Sequence, residues 1–202
     1  DGISWFRKFL GQDESAPILH PENFSGFGAR TMGVPLSQRP EHTAAVVIPS
    51  VGCPVGCNFC STSAMFGGKG CSVNFYETGQ DLFNVMPRLE EKMKVTSYFI
   101  MDENFLLHRK RALELLELMR KHDKAWSIDV FSSARTIQSY SMEELVGLGL
   151  SWVWVGLEGE DSSYAKLRHI DTHALIRQLQ ANGIRVLGSS IIGLESHTPE
   201  NI

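Results

Sequence analysis

From Ala44 onward, short apolar segments alternate with amphipathic helical segments, and this rhythm limits the possible folds more than any single residue does. Ala44–Ile48 is a β-branched run suited to a buried strand. Thr78-Gly-Gln-Asp81 opens a helix reaching about Lys94, with Pro87 as an expected kink. Ser97–Met101 reads as the next strand and Leu107–His122 as the next helix, with Ala112, Leu113, Leu115, Leu116 and Met119 on its apolar side. Ser127–Phe131 is a third strand, and Ser141-Met-Glu-Glu144 is a capping box opening a short helix that stops near Gly147 or Gly149. Trp152–Leu157, a helix over His173–Ala181 closed by Gly183, and Val186–Ile192 complete the series. Repeated strand–helix–strand units predict an α/β fold with a parallel sheet. Strands that are apolar throughout predict a sheet covered on both faces.

Residues 1–43 differ in composition. After a short helix candidate at Ile3–Leu10, Gly, Pro, Ser and Asn predominate, as in a linker or leader with little regular structure. The division expected is therefore a leader over 1–43 and one domain over 44–202. An eight-stranded barrel takes about 250 residues, more than Ala44 to Ile202 supply. Thr198-Pro199-Glu200 also has the form of a helix start just before the last residue. The expectation is a partial parallel barrel, truncated after about five strands.

The bulk numbers exclude several classes. With 43% apolar and 21% charged residues the chain is globular. A net charge of −4 without a basic stripe gives no sign of a nucleic-acid partner. No apolar run approaches the roughly 18 residues of a membrane span, and the opening DGISWFRKFL lacks the apolar core of a secretory signal. All four cysteines, at 53, 57, 60 and 71, fall close together, which suits reduced thiols in a cytoplasmic protein better than a disulfide framework.

Three of them form Ser50-Val-Gly-Cys53-Pro-Val-Gly-Cys57-Asn-Phe-Cys60, directly after the first strand, and ligand sites in parallel α/β folds gather at such strand ends. Three thiolates on so short a loop can converge on one cluster, with Gly52 and Gly56 letting the backbone wrap around it. A structural zinc site pairs its cysteines across a longer stretch, and a two-cluster electron carrier has more cysteines at other spacings. A structural zinc, a non-catalytic iron–sulfur scaffold and simple buried thiols are the alternatives. Cys71 stands apart and reads as a free, buried thiol without a functional role.

The C-x3-C-x2-C spacing after the first strand, with Phe59 before the last cysteine, resembles the signature of the radical S-adenosylmethionine (SAM) superfamily. The resemblance runs from about Ala44 to Glu195 and implies a barrel of that family's type. It implies a 4Fe-4S cluster on Cys53, Cys57 and Cys60, whose open iron takes the amino and carboxylate groups of SAM. Reductive cleavage of SAM would then give methionine and a 5′-deoxyadenosyl radical that acts on a substrate. Phe59 would lie near the adenine.

Further positions follow from the same resemblance. Met101-Asp102-Glu103-Asn104 occupies the place of a Gly-Gly-Glu-like motif, so either Asp102 or Glu103 would accept from the SAM ammonium. A plain alternative is that Asp102 or Asn104 only caps the following helix. Glu158, in Gly156-Leu-Glu158, would accept from ribose hydroxyls, or serve as a solvated loop acid. Ser132 and Ser133 end the third strand as weaker candidates for the same cofactor or as a polar turn. Arg168 or Lys166 would pair with the SAM carboxylate, or stand as exposed helix charges. Gly188-Ser-Ser-Ile-Ile-Gly193-Leu-Glu195 resembles the family's Gly-x-Ile-x-Gly-x-x-Glu element with its acid one position early, which places Gly193 near the adenine. His108, His122, His169 and His173 read as helix-surface residues without a role.

The Ser-Val-Gly-Cys-Pro entry, Asp-Glu-Asn-Phe at 102–105 and Gly-Leu-Glu at 156–158 most resemble the branch that carries an N-terminal cobalamin-binding domain and often methylates unreactive carbons or rearranges rings. The sequence lacks the Asp-x-His-x-x-Gly cobalamin motif, so such a domain would join through the leader. The implied partners are a small-molecule or lipid-like substrate and a flavodoxin- or ferredoxin-type reductant.

Overall fold

A computed structural model describes residues 2–16, 30–31, 34–35, 44–158, 170–193 and 198–199. Lys166, Arg168, His169, Glu195 and most of the 1–43 leader lie outside them, and so does Glu200 of the expected helix start.

In chain order the elements are α1 (Gly2–Phe9), β1 (Arg30–Thr31), β2 (Val34–Pro35), β3 (Ala45–Val47), β4 (Ser50–Val51), α2 (Ser61–Met65) and β5 (Val73–Asn74). They continue with α3 (Gly79–Met93), β6 (Ser97–Ile100), a single 3-10 turn at Phe105–Leu107, α4 (Arg109–Lys121), β7 (Ser127–Ser132) and α5 (Ala134–Ile137). The last are α6 (Met142–Gly147), β8 (Leu150–Glu158), α7 (Thr172–Ala181) and β9 (Arg185–Ser190). The leader is less plain than its composition suggests, since β1 and β2 pair antiparallel within it.

Five strands form one sheet in the order β3-β6-β7-β8-β9, and every neighbouring pair is parallel. Each new strand is added on the same side of the last. Because crossovers between parallel strands are right-handed, a sheet that grows in one direction keeps all its helices on one face. That is the winding of a barrel, and the five strands are an open part of one.

Burial follows this geometry. Tyr98, Ile100, Ile128, Val130, Val153 and Val155 face Leu82, Met86, Leu115, Leu116 and Met119 in one core. Alternate strand residues behave differently: Phe99 and Phe131 are half-buried, while Trp152 and Trp154 are exposed. Their rings form a ladder across the inner face, with centroids 5.3 Å apart for Phe99–Phe131 and 5.1 Å for Phe131–Trp154. The expectation of a sheet covered on both faces is therefore corrected to one covered face and one half-open aromatic face. Aromatic residues at every second position look, in sequence, like strands buried on both sides.

Helix ends follow local chemistry. Thr78 and Asp81 form a capping box at α3, which continues past Pro87 and ends where Lys94 turns left-handed at φ 58°. Ser141 and Glu144 form a second box at α6, and Arg109 pairs with Glu144 at 2.7 Å, joining α4 to α6. Buried phenols find carbonyls, Tyr98 donating to Met86 at 2.7 Å and Tyr140 to Leu106 at 2.6 Å. Among the described residues no helix is long and apolar enough to cross a membrane.

At Gly79 the start of α3 runs against α4. A Cβ there would lie 2.4 Å from the Leu115 nitrogen and 2.7 Å from the Arg111 carbonyl oxygen. Backbone cannot retreat as a flexible side chain can, so Gly79→Ala is expected to cost about 1–3 kcal/mol, read as a lowered urea midpoint with an unchanged m-value.

Candidate cofactor site

Pro49 cannot donate to a ladder, and the chain leaves the sheet just after β3. It returns through β4, which pairs antiparallel with β5. The Pro49 carbonyl accepts from the amides of Phe75 and Tyr76 at 2.8 and 3.0 Å. The segment between, which carries every cysteine, is thus an excursion closed at its neck.

Within it, Cys53, Cys57 and Cys60 are free, half-buried thiols. The Gly70 amide donates to the Pro54 carbonyl at 2.9 Å and the Ser63 hydroxyl to the Cys53 carbonyl at 3.1 Å, folding the loop back on α2. Gly56 holds φ 71°, and a Cβ there would meet the Lys69 backbone at 2.6 Å, so no other residue fits that turn without movement. Burial pushes the Cys53 thiol up, and the neighbouring Cys57, Glu103 and Cys60 charges push the same way. Cys60 sits at the N-cap of α2 and Phe59 is half-buried beside it. Cys71 is exposed near Gly67 rather than buried as its sequence setting suggests, because it lies at the outer turn of the loop. Among the described residues no three His, Cys, Asp or Glu side chains form a ready site for a single metal ion.

The segment after β6 separates two acids that the sequence leaves equivalent. Asp102 is buried, and its carboxylate accepts from the Ser50 hydroxyl at 2.6 Å, from Arg111 at 2.5 Å and from the Asn104 amide at 3.0 Å. Asn104 is a second hub, accepting from the Ser132 hydroxyl at 2.8 Å and the Ser133 amide at 3.3 Å. Its amide group donates to the hydroxyls of Ser133 and Thr136, both at 3.4 Å. Glu103, between them, turns the other way. It keeps contact with solvent, receives the Gly52 amide, and is desolvated enough to hold its carboxyl above the usual range.

The other site candidates lie at or just past the ends of β7, β8 and β9. Glu158 ends β8, buried and in a left-handed conformation at φ 60°, beside a register shift between Gly156 and Glu158. Backbone strain in a non-glycine residue at a strand end is a mark of functional sites. Ser132 spends its proton on Asn104, and Ser133 caps α5. Gly193 is exposed at φ 93°. His108 is half-buried at the start of α4 rather than on a helix surface, and burial lowers its pKa, with the Arg111 charge adding to the effect. The structure thus brings Glu103 to the cysteine loop and sends Asp102 into the interior.

Ser50 and Arg111 escape sequence reasoning. One signal for Arg111 was present: it lies four residues before Leu115 and eight before Met119, on the apolar stripe of α4 where a charge needs a buried partner.

The sheet is parallel and wound in one direction, with three thiols looped from the end of its first strand. The model of the radical SAM superfamily matches residues 47–202, and the chain belongs to that superfamily of enzymes. Similar proteins include a hopanoid C-2 methylase of Rhodopseudomonas palustris (strain TIE-1), 26% identical over 75% of this chain and 30% of that protein. Another is a bacteriochlorophyllide d C-12(1)-methyltransferase of Chlorobaculum tepidum, 27% identical over 77% of this chain and 35% of the relative. In fold the chain is similar to TsrM, a radical SAM methyltransferase from Kitasatospora setae solved with tryptophan substrate and a SAM analogue. That TM-score is 0.62 at 19% identity, covering 85% of this chain and 35% of TsrM. The chain spans about a third of the length of these proteins.

Asn104→Ala would leave the buried Ser132 hydroxyl without its acceptor and cut the tie between the ends of β6 and β7. The expected cost is about 2 kcal/mol, measured by chemical denaturation.

Proposed function

We propose that this chain is the core of a radical SAM enzyme whose Cys53, Cys57 and Cys60 hold a 4Fe-4S cluster. The observation that carries the reading is the closed loop of three half-buried free thiols with Glu103 beside it at the strand ends. Three cysteines on one short loop, rather than pairs separated by a longer stretch, suit a multi-iron cluster better than a structural zinc ion. When bound, the reduced cluster supplies the electron that splits SAM into methionine and a 5′-deoxyadenosyl radical.

The chain's own residues bind and orient. The three thiols would bind iron as thiolates, so loading releases protons. Glu103 is the acceptor for the SAM ammonium, because Asp102 is occupied by Arg111 and Ser50. Glu158 accepts from the ribose hydroxyls, and Phe59 packs beside the adenine with Gly193 near it. Ser132 acts from below by holding Asn104. Arg168 is the proposed partner of the SAM carboxylate.

The reaction we propose is methyl transfer assisted by cobalamin, in line with the two methyl-transferring relatives and with TsrM, solved with cobalamin and a 4Fe-4S cluster. Cobalamin would be held by a domain outside this chain. The substrate is a small or lipid-like molecule, and a flavodoxin- or ferredoxin-type protein supplies the electron.

Anaerobic reconstitution with iron and sulfide, followed by reduction and SAM, is expected to yield 5′-deoxyadenosine. Cys57→Ala should abolish both iron loading and product, while Cys71→Ala should keep its iron. Stoichiometric zinc in place of iron would overturn the reading. Glu158→Ala is expected to weaken SAM binding about tenfold, roughly 1.4 kcal/mol, with iron content unchanged. Equilibrium binding to the reconstituted protein measures it.

A further inference from the structure

One buried ion pair reaches both ends of the cysteine loop. The Arg111 and Asp102 side chains are 1% and 3% exposed. Asp102 receives the Ser50 hydroxyl at 2.6 Å, and Ser50 lies in β4 just before the loop opens. Arg111 donates to the Tyr76 carbonyl at 3.0 Å, and Tyr76 follows β5 just after the loop closes. From Asp102 the backbone passes directly to Glu103, which receives the amide of Gly52. The pair therefore grips the entry and exit of the loop and the base of the acid beside it.

Stability alone does not account for this arrangement. A buried ion pair gains little over well-packed apolar residues of similar volume, and Arg111 leaves its Nε buried without a hydrogen-bond partner. The neighbouring positions of the stripe, Ala112, Leu115 and Met119, are all buried apolar residues. What apolar side chains could not supply is direction, because only a fixed set of donors and one carboxylate can join three separate backbone segments at defined distances.

We propose that Arg111 and Asp102 are positioning residues whose ion pair fixes the cysteine loop relative to Glu103, and so sets the affinity for SAM without touching it. The inference rests on the cofactor reading above.

The test uses the paired substitution Asp102→Asn with Arg111→Met, which removes both charges together and avoids stranding one. Leu145→Ala, a fully buried change in α6, serves as a control for lost stability. In metal-free protein carrying Cys71→Ala, the three loop thiols are timed with Ellman's reagent. In reconstituted protein, iron content, SAM affinity and the change in the reduced cluster's EPR spectrum on adding SAM are measured.

The expected result is loop thiols reacting about tenfold faster in the paired variant, and SAM binding about tenfold weaker, each roughly 1.4 kcal/mol. Iron should be retained and the SAM-induced spectral change diminished. The Leu145→Ala control should show neither effect, and Arg111→Lys should restore part of the SAM affinity. Thiol rates and SAM affinity matching those of the control would overturn the proposal. If the unaltered protein takes up no iron, the cofactor reading fails, while the thiol rates still decide whether the ion pair fixes the loop.

Discussion

Parallel pairing in strict chain order is the constraint on which the rest of this structure depends. A parallel sheet aligns all strand C-termini on one edge, and right-handed crossovers that always advance in one direction keep the helices on one face. Every loop that follows a strand must then meet its neighbours at that edge. The cysteine loop after β3, the Asp102–Asn104 segment after β6, Ser132 and Ser133 at the end of β7, and Glu158 at the end of β8 are neighbours for this reason alone. A sheet that reversed its strand order would have divided them between two crevices.

Along that edge the polar groups form two layers. The lower layer is buried: Asp102, Asn104, Ser132, Thr136 and Arg111 are linked by hydrogen bonds that tie the ends of β6 and β7 to α4 and α5. The upper layer, Glu103 and the three half-buried thiols, is left with capacity to bind. Buried polar groups without partners are costly, so a side chain inside the frame is held where it is, while one above it can turn toward a ligand. Alternation along 102–104 decides which acid does which: the buried Asp102 and Asn104 flank an exposed Glu103.

The inner face of the sheet follows its own logic. Phe99, Phe131 and Trp154 stack across three strands, and beside them a cavity of about 120 Å³ is lined by Ala44, Asp129 and Trp152 among others. Asp129 lies half-buried there, its carboxyl raised by burial and held by the Ser151 hydroxyl at 2.5 Å. In a barrel of this winding such side chains fill the interior by layers, which explains why aromatic rings predominate there.

Much of this could be read from sequence. Element order, both capping boxes and the cysteine trio are local features, set by periodicity, by side chains reaching their own backbone and by spacing over a few residues. The partial barrel followed from the same rhythm. The identity of the face that stays open did not, because aromatic residues at period two look the same whether helices or empty space lie against them. Nor did the division between Asp102 and Glu103, since it depends on Arg111 and Ser50, which are 9 and 52 residues from Asp102 along the chain. Contacts within one turn or one loop are fixed by covalent reach, and the sequence by itself determined those. Which carboxylate is locked into the frame and which remains beside the thiols was decided only when parallel strands brought distant segments to a common edge.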